Sequence, residues 1–121
     1  MTVLIDTSIW IRHLQLAFAP LAALEAREVL RHELVYGELV IGDTGGRRAF
    51  LEHYQRYAAA PLVPHGEVVI FVRAQRLAGL GLSWIDAHLL ASARVAGARL
   101  WTADQTLARV AHALGLGGRA A

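Results

Sequence analysis

The sequence of 121 residues contains no cysteine and no lysine. The absence of cysteine excludes disulfide bonds, zinc sites made of thiolates and cysteine nucleophiles. It is compatible with a reducing cytoplasm, where we expect the protein to function. The absence of lysine excludes a phosphate-binding P-loop, a Schiff-base mechanism and the phosphoacceptor site of a receiver domain. Several common classes of enzyme are therefore ruled out.

Long apolar runs are also absent, although 55% of the residues are hydrophobic. The longest stretch without a charged residue runs from His13 to Leu24, well short of the ~20 apolar residues that span a bilayer. The first six residues lack the basic and then apolar layout of a secretion signal. We therefore expect no membrane segment, and we expect the surplus apolar surface to form a core and an interface with a second copy or an obligate partner.

The charge is nearly balanced, because 12 arginines oppose 10 acidic residues and give a formal net charge of +2. If four of the acids bound a metal ion, the remaining surface would carry twelve positive and six negative charges. Such a surface suits a polyanion such as RNA. A mildly basic surface with no role in nucleic-acid binding fits the charge equally well.

The hydrophobic pattern predicts short strands that alternate with helices. The predicted strands cover residues 2–6, 29–30 and 98–102, and a brief extended segment covers residues 61–64. One helix is predicted after Thr7 and Ser8, one from Pro20 to about residue 27, and others over residues 34–41, 47–57, 67–77, 83–96 and 105–114. This order predicts one α/β domain over residues 1–121, with a mainly parallel sheet between helices and a tail that frays from about residue 115.

Four acidic residues occupy places where chemistry is expected. Asp6 ends the first predicted strand, and Asp104 lies just past the last one. Asp86 is in the first turn of the helix before that last strand, and Glu38 is on the helix after the second strand. Because the carboxyl ends of parallel strands meet at one edge of a sheet, acids from distant parts of the sequence can come together there.

Each of these acids also has a purely structural interpretation. Ser83 and Asp86 have the spacing of a capping box, and Asp104 and Asp6 could each cap the helix that follows. Glu38 could be an ordinary solvated helix residue. The positions of the acids alone leave both interpretations open. The six histidines have no metal-ligand spacing.

Four sequence motifs resemble those of the PIN-domain ribonucleases, and in particular the VapC-type toxins of type II toxin–antitoxin systems. The motifs are Asp6-Thr7-Ser8-Ile9-Trp10, Gly37-Glu38-Leu39-Val40-Ile41-Gly42, Trp84-Ile85-Asp86-Ala87-His88-Leu89-Leu90-Ala91-Ser92-Ala93 and Arg99-Leu100-Trp101-Thr102-Ala103-Asp104. The resemblance covers nearly the whole chain. Two residues depart from it, because Trp101 stands where a smaller residue is more usual and Glu33 adds an acid upstream of Glu38. Asp43 matches no motif and is interpreted as a loop or cap residue.

The resemblance implies a three-layer α/β/α fold and an endoribonuclease that depends on Mg²⁺ or Mn²⁺. Its catalytic residues would be Asp6, Glu38, Asp86 and Asp104. Asp6 and Asp86 are expected as direct metal ligands, and Asp104 and Glu38 would bind the metal through water or support a second metal ion. Oxygen ligands suit these hard cations.

Two further groups of residues are expected around these acids. Thr7, Ser8 and Thr102 are candidates for hydrogen bonds to the metal-binding acids or to the scissile phosphate. The candidates for RNA contacts are Arg12, Arg47, Arg48 and Arg99. The resemblance also implies a homodimer, a transfer or ribosomal RNA substrate, and a VapB-type antitoxin whose arginine would plug the acidic site.

Other functions remain possible at this point. The first is a non-catalytic protein-binding module on a PIN scaffold, although the presence of all four acidic motifs argues against it. A receiver-like domain would need the missing lysine. A DNA or flap nuclease would need additional segments to hold DNA.

Overall fold

The protein is described by a computed structural model over residues 1–16, 28–43 and 45–118. Four strands form one parallel sheet in the order β3-β2-β1-β4. The strands are β1 (Thr2–Ile5), β2 (Glu28–Arg31), β3 (Ala58–Ala59) and β4 (Arg99–Trp101). In the central register, Leu4 of β1 pairs with Leu30 of β2 on one side and with Leu100 of β4 on the other.

The described residues form six helices around this sheet. They are α1 (Thr7–Leu16), α2 (Glu33–Ile41), α3 (Arg48–Tyr54), α4 (His65–Ala74), α5 (Trp84–Ala96) and α6 (Gln105–Ala113). The helix predicted from Pro20 lies outside the described residues. Within the described part of the chain, no helix has the length and apolar character needed to cross a bilayer.

The sheet is the centre of the hydrophobic core. Val3, Leu4 and Ile5 of β1 are almost fully buried, as are Leu100 and Trp101 of β4. A strand that is buried on both faces needs helices on both faces, and parallel sheets are built in this way. The predicted three-layer α/β/α class is therefore confirmed. The large side chain of Trp101 fits within the core.

The helix ends with the strongest local signals were predicted well. Ser83 caps α5 in a capping box with Asp86, and Gly97 ends the helix in the left-handed conformation, with φ of 64°. A glycine adopts this conformation without the steric cost that a Cβ atom would bring. Gly42 is the C-terminal cap of α2, as predicted.

Two predicted helices extended too far at their C-terminal ends, one of them also began two residues too late, and one strand was missed. Helix α3 ends at Tyr54 rather than at residue 57, because the chain turns there to enter β3, whose two alanines carry no strand pattern of their own. Pairing with β2 makes this segment a strand. Helix α4 ends at Ala74 rather than at residue 77, and Arg76 adopts a φ of 56° that no continuing helix could accept.

The residues after α6 were predicted to fray, but they form hydrogen bonds with β4 as far as residue 118. The backbone N–H of Leu100 donates to the carbonyl of Leu116 at 2.7 Å, and the N–H of Gly118 donates to the carbonyl of Leu100 at 2.9 Å. Gly117 and Gly118 allow this close approach because they have no Cβ atom. A Cβ on Gly117 would lie only 3.2 Å from a backbone atom of His112, and one on Gly118 only 3.1 Å from a backbone atom of Leu100. These residues therefore cover the outer edge of β4.

Candidate active site

The four acids identified from the sequence come from different elements around the carboxyl edge of the sheet. Asp6 directly follows β1, and Asp104 follows β4 after a two-residue link. Glu38 is on α2, which begins just after β2, and Asp86 is in the first turn of α5. The parallel direction of the strands places β1 and β4 with their carboxyl ends together.

Asp6 is buried and is held by two hydroxyl groups. Its Oδ2 atom accepts hydrogen bonds from Ser8 Oγ at 2.8 Å and from Thr102 Oγ1 at 2.6 Å. Its backbone N–H donates to the carbonyl of Trp101 at 2.8 Å and so extends the β1–β4 pairing by one residue. A buried carboxylate needs such donors to offset the loss of hydration. The side chain is therefore fixed in position.

The same hydroxyls connect Asp6 to the loop that carries Asp104. Thr102 Oγ1 accepts the backbone N–H of Asp104 at 3.0 Å, and Ser8 Oγ accepts the N–H of Ala103 at 3.0 Å. The two hydroxyl oxygens lie 3.3 Å apart. The start of α1 and the β4–α6 loop are thus joined into one hydrogen-bonded unit with Asp6 at its centre.

Glu38 is held by the residue that follows Asp6 in the sequence. Thr7 Oγ1 donates to Glu38 Oε1 at 2.7 Å, so α1 and α2 meet at this contact. Glu33, the other acid of α2, is exposed at the start of the helix. Of these two acids, Glu38 is the one connected to the neighbourhood of Asp6.

Asp86 takes part in the capping box at the start of α5. Its Oδ2 atom accepts the backbone N–H of Ser83 at 3.0 Å, and Ser83 Oγ accepts the N–H of Asp86 at 3.1 Å. Partial burial raises the pKa of Asp86, and the negative charges of Asp6 and Asp104 raise it further, while the bonds to Ser83 lower it. The three aspartates therefore share one electrostatic environment.

Asp104 is the N-cap of α6, where its Oδ1 accepts the backbone N–H of Leu107 at 3.0 Å. The capping interpretation is thus correct for both Asp86 and Asp104. The helix cap uses only one of the two oxygens of each carboxylate.

One oxygen of each acid has no donor within the part of the chain that the structure describes. Among the described residues, no hydrogen bond reaches Oδ1 of Asp6, Oε2 of Glu38, Oδ1 of Asp86 or Oδ2 of Asp104. The protein therefore orients each carboxylate through one oxygen and leaves the other available. This arrangement can serve a cation, a water molecule or a cationic partner.

The chemical nature of these four carboxylates suits a hard divalent cation. All four groups offer carboxylate oxygens, which Mg²⁺ and Mn²⁺ prefer to nitrogen or sulfur. Within residues 1–16, 28–43 and 45–118, no three acidic or histidine side chains converge into a closed metal-binding cluster. Mg²⁺ does not require one, because it usually binds one or two carboxylates and completes its shell with water and substrate phosphate.

The four candidate arginines lie in different surroundings. Arg99 is at the amino end of β4, opposite the acids, and its guanidinium donates to the carbonyls of Gly115 at 3.1 Å and Gly117 at 3.4 Å. Arg48 is strongly exposed and forms a surface ion pair of 3.2 Å with Glu52. Arg12 of α1 is exposed. Arg99 therefore supports the chain terminus rather than the acidic edge.

The remaining candidate arginine and the fourth aspartate lie near the link between α2 and α3. Arg47 directly precedes α3 and is partly buried. The Oδ1 atom of Asp43 accepts the N–H of Gly45 at 2.9 Å in an exposed turn, as the loop interpretation predicted.

Comparison with known proteins agrees with this geometry. The family model described as PIN domain matches residues 3–113, a range that contains all four acids. The chain is also similar to Ribonuclease VapC32 of Mycobacterium tuberculosis, from strain CDC 1551 / Oshkosh and from strain ATCC 25618 / H37Rv. Identity is 44% over 107 residues in both cases, which is 87% of this chain and 86% of the relative.

Proposed function

The chain belongs to the PIN domain family, and from this premise we propose that it is a metal-dependent endoribonuclease that hydrolyses RNA phosphodiester bonds. The catalytic residues in this proposal are Asp6, Glu38, Asp86 and Asp104. One observation carries it: each of these carboxylates is oriented through one oxygen, while the other has no donor within the described chain. The similarity to Ribonuclease VapC32 supports the choice of RNA as substrate.

The proposed cofactor is Mg²⁺ or Mn²⁺, held directly by Asp6 and Asp86, with Asp104 and Glu38 acting through water. A bound cation would lower the pKa of a coordinated water and offset the negative charge that develops on the phosphate. Partial burial raises the pKa of Asp86, and the negative charges of Asp6 and Asp104 raise it further. A cation would relieve this repulsion, and the relief would contribute to binding.

The hydroxyl groups have a positioning role in this proposal. Thr102 and Ser8 hold one oxygen of Asp6, and Thr7 holds one oxygen of Glu38. Groups that are already oriented need not reorganise when substrate binds, and this is how a rigid site accelerates a reaction. Removing such a supporting group from a metal ligand typically costs 10- to 100-fold in metal affinity or activity.

We further propose that the protein is the toxin of a VapBC-type pair, a single nuclease domain that forms a homodimer in the cytoplasm. The likeness to VapC32 supports the toxin assignment. Exposed apolar residues support a protein interface, among them Ile41 at the end of α2 and Ile70 of α4. An arginine of a VapB-type antitoxin would inhibit by occupying the free oxygens of Asp6, Asp86 and Asp104.

The decisive experiment compares the cleavage of cellular RNA by wild-type protein and by two matched variants. Asp6→Asn removes an acid of the site, whereas Asp43→Asn removes the aspartate that lies outside it. We expect wild type and Asp43→Asn to produce discrete cuts with 5′-phosphate ends in Mn²⁺ and none in EDTA. Asp6→Asn should be inactive.

Two results would contradict this proposal. Cleavage that survives in EDTA or in Asp6→Asn would indicate another mechanism. The absence of any cut by folded, antitoxin-free wild type would instead favour a non-catalytic protein-binding module.

A further inference from the structure

One of the three tryptophans is exposed, although the other two are in the core. Trp84 retains 41% of its accessible surface, whereas Trp10 retains 0% and Trp101 2%. An exposed tryptophan presents a large aromatic face to solvent, and such faces are typical of binding surfaces.

Two histidines hold the ring of Trp84 in place. The imidazole of His65, at the start of α4, lies 4.8 Å from the indole between ring centres. The imidazole of His88, one turn further along α5, lies 5.1 Å away with its ring perpendicular to the indole. A ring that packs against two others loses little conformational freedom when a ligand stacks on it. We call His65, Trp84 and His88 the aromatic platform.

A small cavity of about 170 Å³ lies beside the aromatic platform. Its walls include Trp84 and Ala87 of α5, the N-cap residue Ser83, and the glycines Gly79 and Gly81 of the preceding loop. The lining is mostly small and apolar. The cavity is well below the size of pockets that enclose whole drug-sized ligands, so it suits a single flat ring.

Residues that line this cavity connect it to the helix starts at Asp86 and Asp104. Ser83, which lines the cavity, donates its backbone N–H to Asp86 Oδ2 at 3.0 Å. On the other side, a Cβ atom on Gly81 would lie 3.9 Å from the Thr106 side chain, two residues after Asp104. The loop that forms the cavity therefore runs between the helix starts that carry Asp86 and Asp104.

We propose that the aromatic platform and its cavity bind the base of a nucleotide that flanks the cleaved phosphodiester. This inference rests on the proposed ribonuclease function and adds a subsite for single-stranded RNA. Proteins recognise unpaired RNA largely by stacking its bases on aromatic side chains, and each stacked base contributes substantially to affinity. Because Ser83 both lines the cavity and donates to Asp86 Oδ2, a base in the cavity would keep its neighbouring phosphate near that acid.

The fluorescence of Trp84 provides a direct test. Because Trp10 and Trp101 are buried, quenching by acrylamide reports mainly on Trp84. The protein is the Asp6→Asn variant in Mg²⁺, and the two ligands are a short single-stranded oligouridylate and an abasic ribose–phosphate oligomer of the same length. Oligouridylate should quench the emission and protect Trp84 from acrylamide, and the abasic oligomer should do neither.

Variants separate stacking from general stability. Trp84→Ala should bind oligouridylate about 5- to 100-fold more weakly, the range expected for the loss of one stacked base. Trp84→Phe should recover most of the affinity. Val95→Ala, which removes another exposed apolar side chain of α5, should bind as wild type does. The dependence of affinity on salt should be the same in all of them, because stacking releases no counterions.

The failure of this inference differs from the failure of the proposed function. If wild type cleaves RNA, and Trp84→Ala cleaves it with unchanged KM and kcat, the subsite is overturned. Binding of oligouridylate without a change in Trp84 emission also overturns the subsite. That result would indicate that the aromatic platform binds a protein partner instead. If oligouridylate quenches Trp84 but wild type cleaves no RNA, the RNA subsite stands and the nuclease proposal fails.

Discussion

Three hydroxyl side chains determine how the acids of the site are oriented. Thr102 and Ser8 share Oδ2 of Asp6, while Thr7 reaches Glu38 on another helix. The sequence identified all three as candidates for hydrogen bonding near the acids. It could not assign each hydroxyl to its acid, because Thr7 and Glu38 are separated by 31 positions and meet only where α1 and α2 pack.

Thr102 is expected to be the most sensitive of these hydroxyls, because it both donates to Asp6 and accepts from Asp104 N–H. Thr102→Val keeps the shape of the side chain but removes both hydrogen bonds. We expect activity to fall about 10- to 100-fold and the free energy of unfolding to fall by about 1–3 kcal/mol. Steady-state RNA cleavage and urea unfolding measure the two effects. Thr102→Ser should restore both, and a serine variant as poor as valine would contradict the hydrogen-bonding role.

Asp86 should limit the stability of the metal-free protein. Its pKa is raised, first by burial and then by Asp6 and Asp104, so its charged form at neutral pH is less favourable in the folded state than in the unfolded state. Asp86→Asn should therefore abolish RNA cleavage and raise the melting temperature in EDTA. Asp43→Asn is the control. Equal or lower melting of Asp86→Asn would argue against clustered acids.

At the scale of elements, a histidine connects β2, α2, α3 and α5. His32 caps α2 by accepting the N–H of Leu34 through Nδ1 at 3.1 Å, and its Nε2 lies 2.9 Å from Ser92 Oγ. Its own backbone N–H donates to the hydroxyl of Tyr54 at 2.9 Å. Burial lowers the pKa of His32 to about 4, and the nearby His88 contributes. The sequence did not reveal this role, because histidine is not a common helix cap.

The protein should lose stability in mild acid because of His32. The ordinary pKa of 6.5 applies to the unfolded chain, and the folded value is about 4. The unfolded state therefore takes up the proton first, so stability is complete above pH 6.5 and falls as the pH drops towards 4. The full loss is about 3 kcal/mol. Urea unfolding at pH 7 and pH 4.5 measures it.

The control for this prediction is His32→Asn, which keeps a side-chain acceptor for the cap. The variant should show a smaller difference in unfolding free energy between the two pH values. Comparison with wild type removes the contribution of Asp86, whose raised pKa acts in the opposite direction. An identical pH dependence in both proteins would exclude His32 as its source.

The contrast between α5 and β3 shows which elements could be predicted. The start and end of α5 follow from Ser83, Asp86 and Gly97, whose effects act within one helical turn. The strand β3 consists of Ala58 and Ala59, and alanine has no preference for strands. Hydrogen bonds to β2 create it, and the two paired segments lie far apart in the sequence.

At the scale of the whole molecule, the acidic edge should couple cation binding to folding. A cation that binds only the folded protein stabilises it, by about 2.7 kcal/mol when its concentration is 100 times Kd. We expect Mg²⁺ or Mn²⁺ to raise the melting temperature of wild type and of Asp43→Asn, and to raise that of Asp6→Asn much less. Thermal unfolding in EDTA and in each metal measures the shift. An equal shift in Asp6→Asn would place the cation elsewhere.

The amino-acid sequence by itself determined the α/β class, the places of β1, β2 and β4, and the four acidic positions. These follow from short apolar runs, helix caps and motif order, which are local properties of the chain. It also determined what is excluded, since a chain without cysteine or lysine has no chemistry of a cysteine thiolate or a lysine amine.

Only the tertiary structure decided how these parts meet. It assigned Thr7 to Glu38 and buried His32 against Ser92. It also left Trp84 exposed in contact with two imidazoles, while Trp10 and Trp101 entered the core. The reason is physical: a hydrogen bond or a ring contact depends on distance in space. Residues far apart in the sequence come within contact distance only when the helices pack against the sheet.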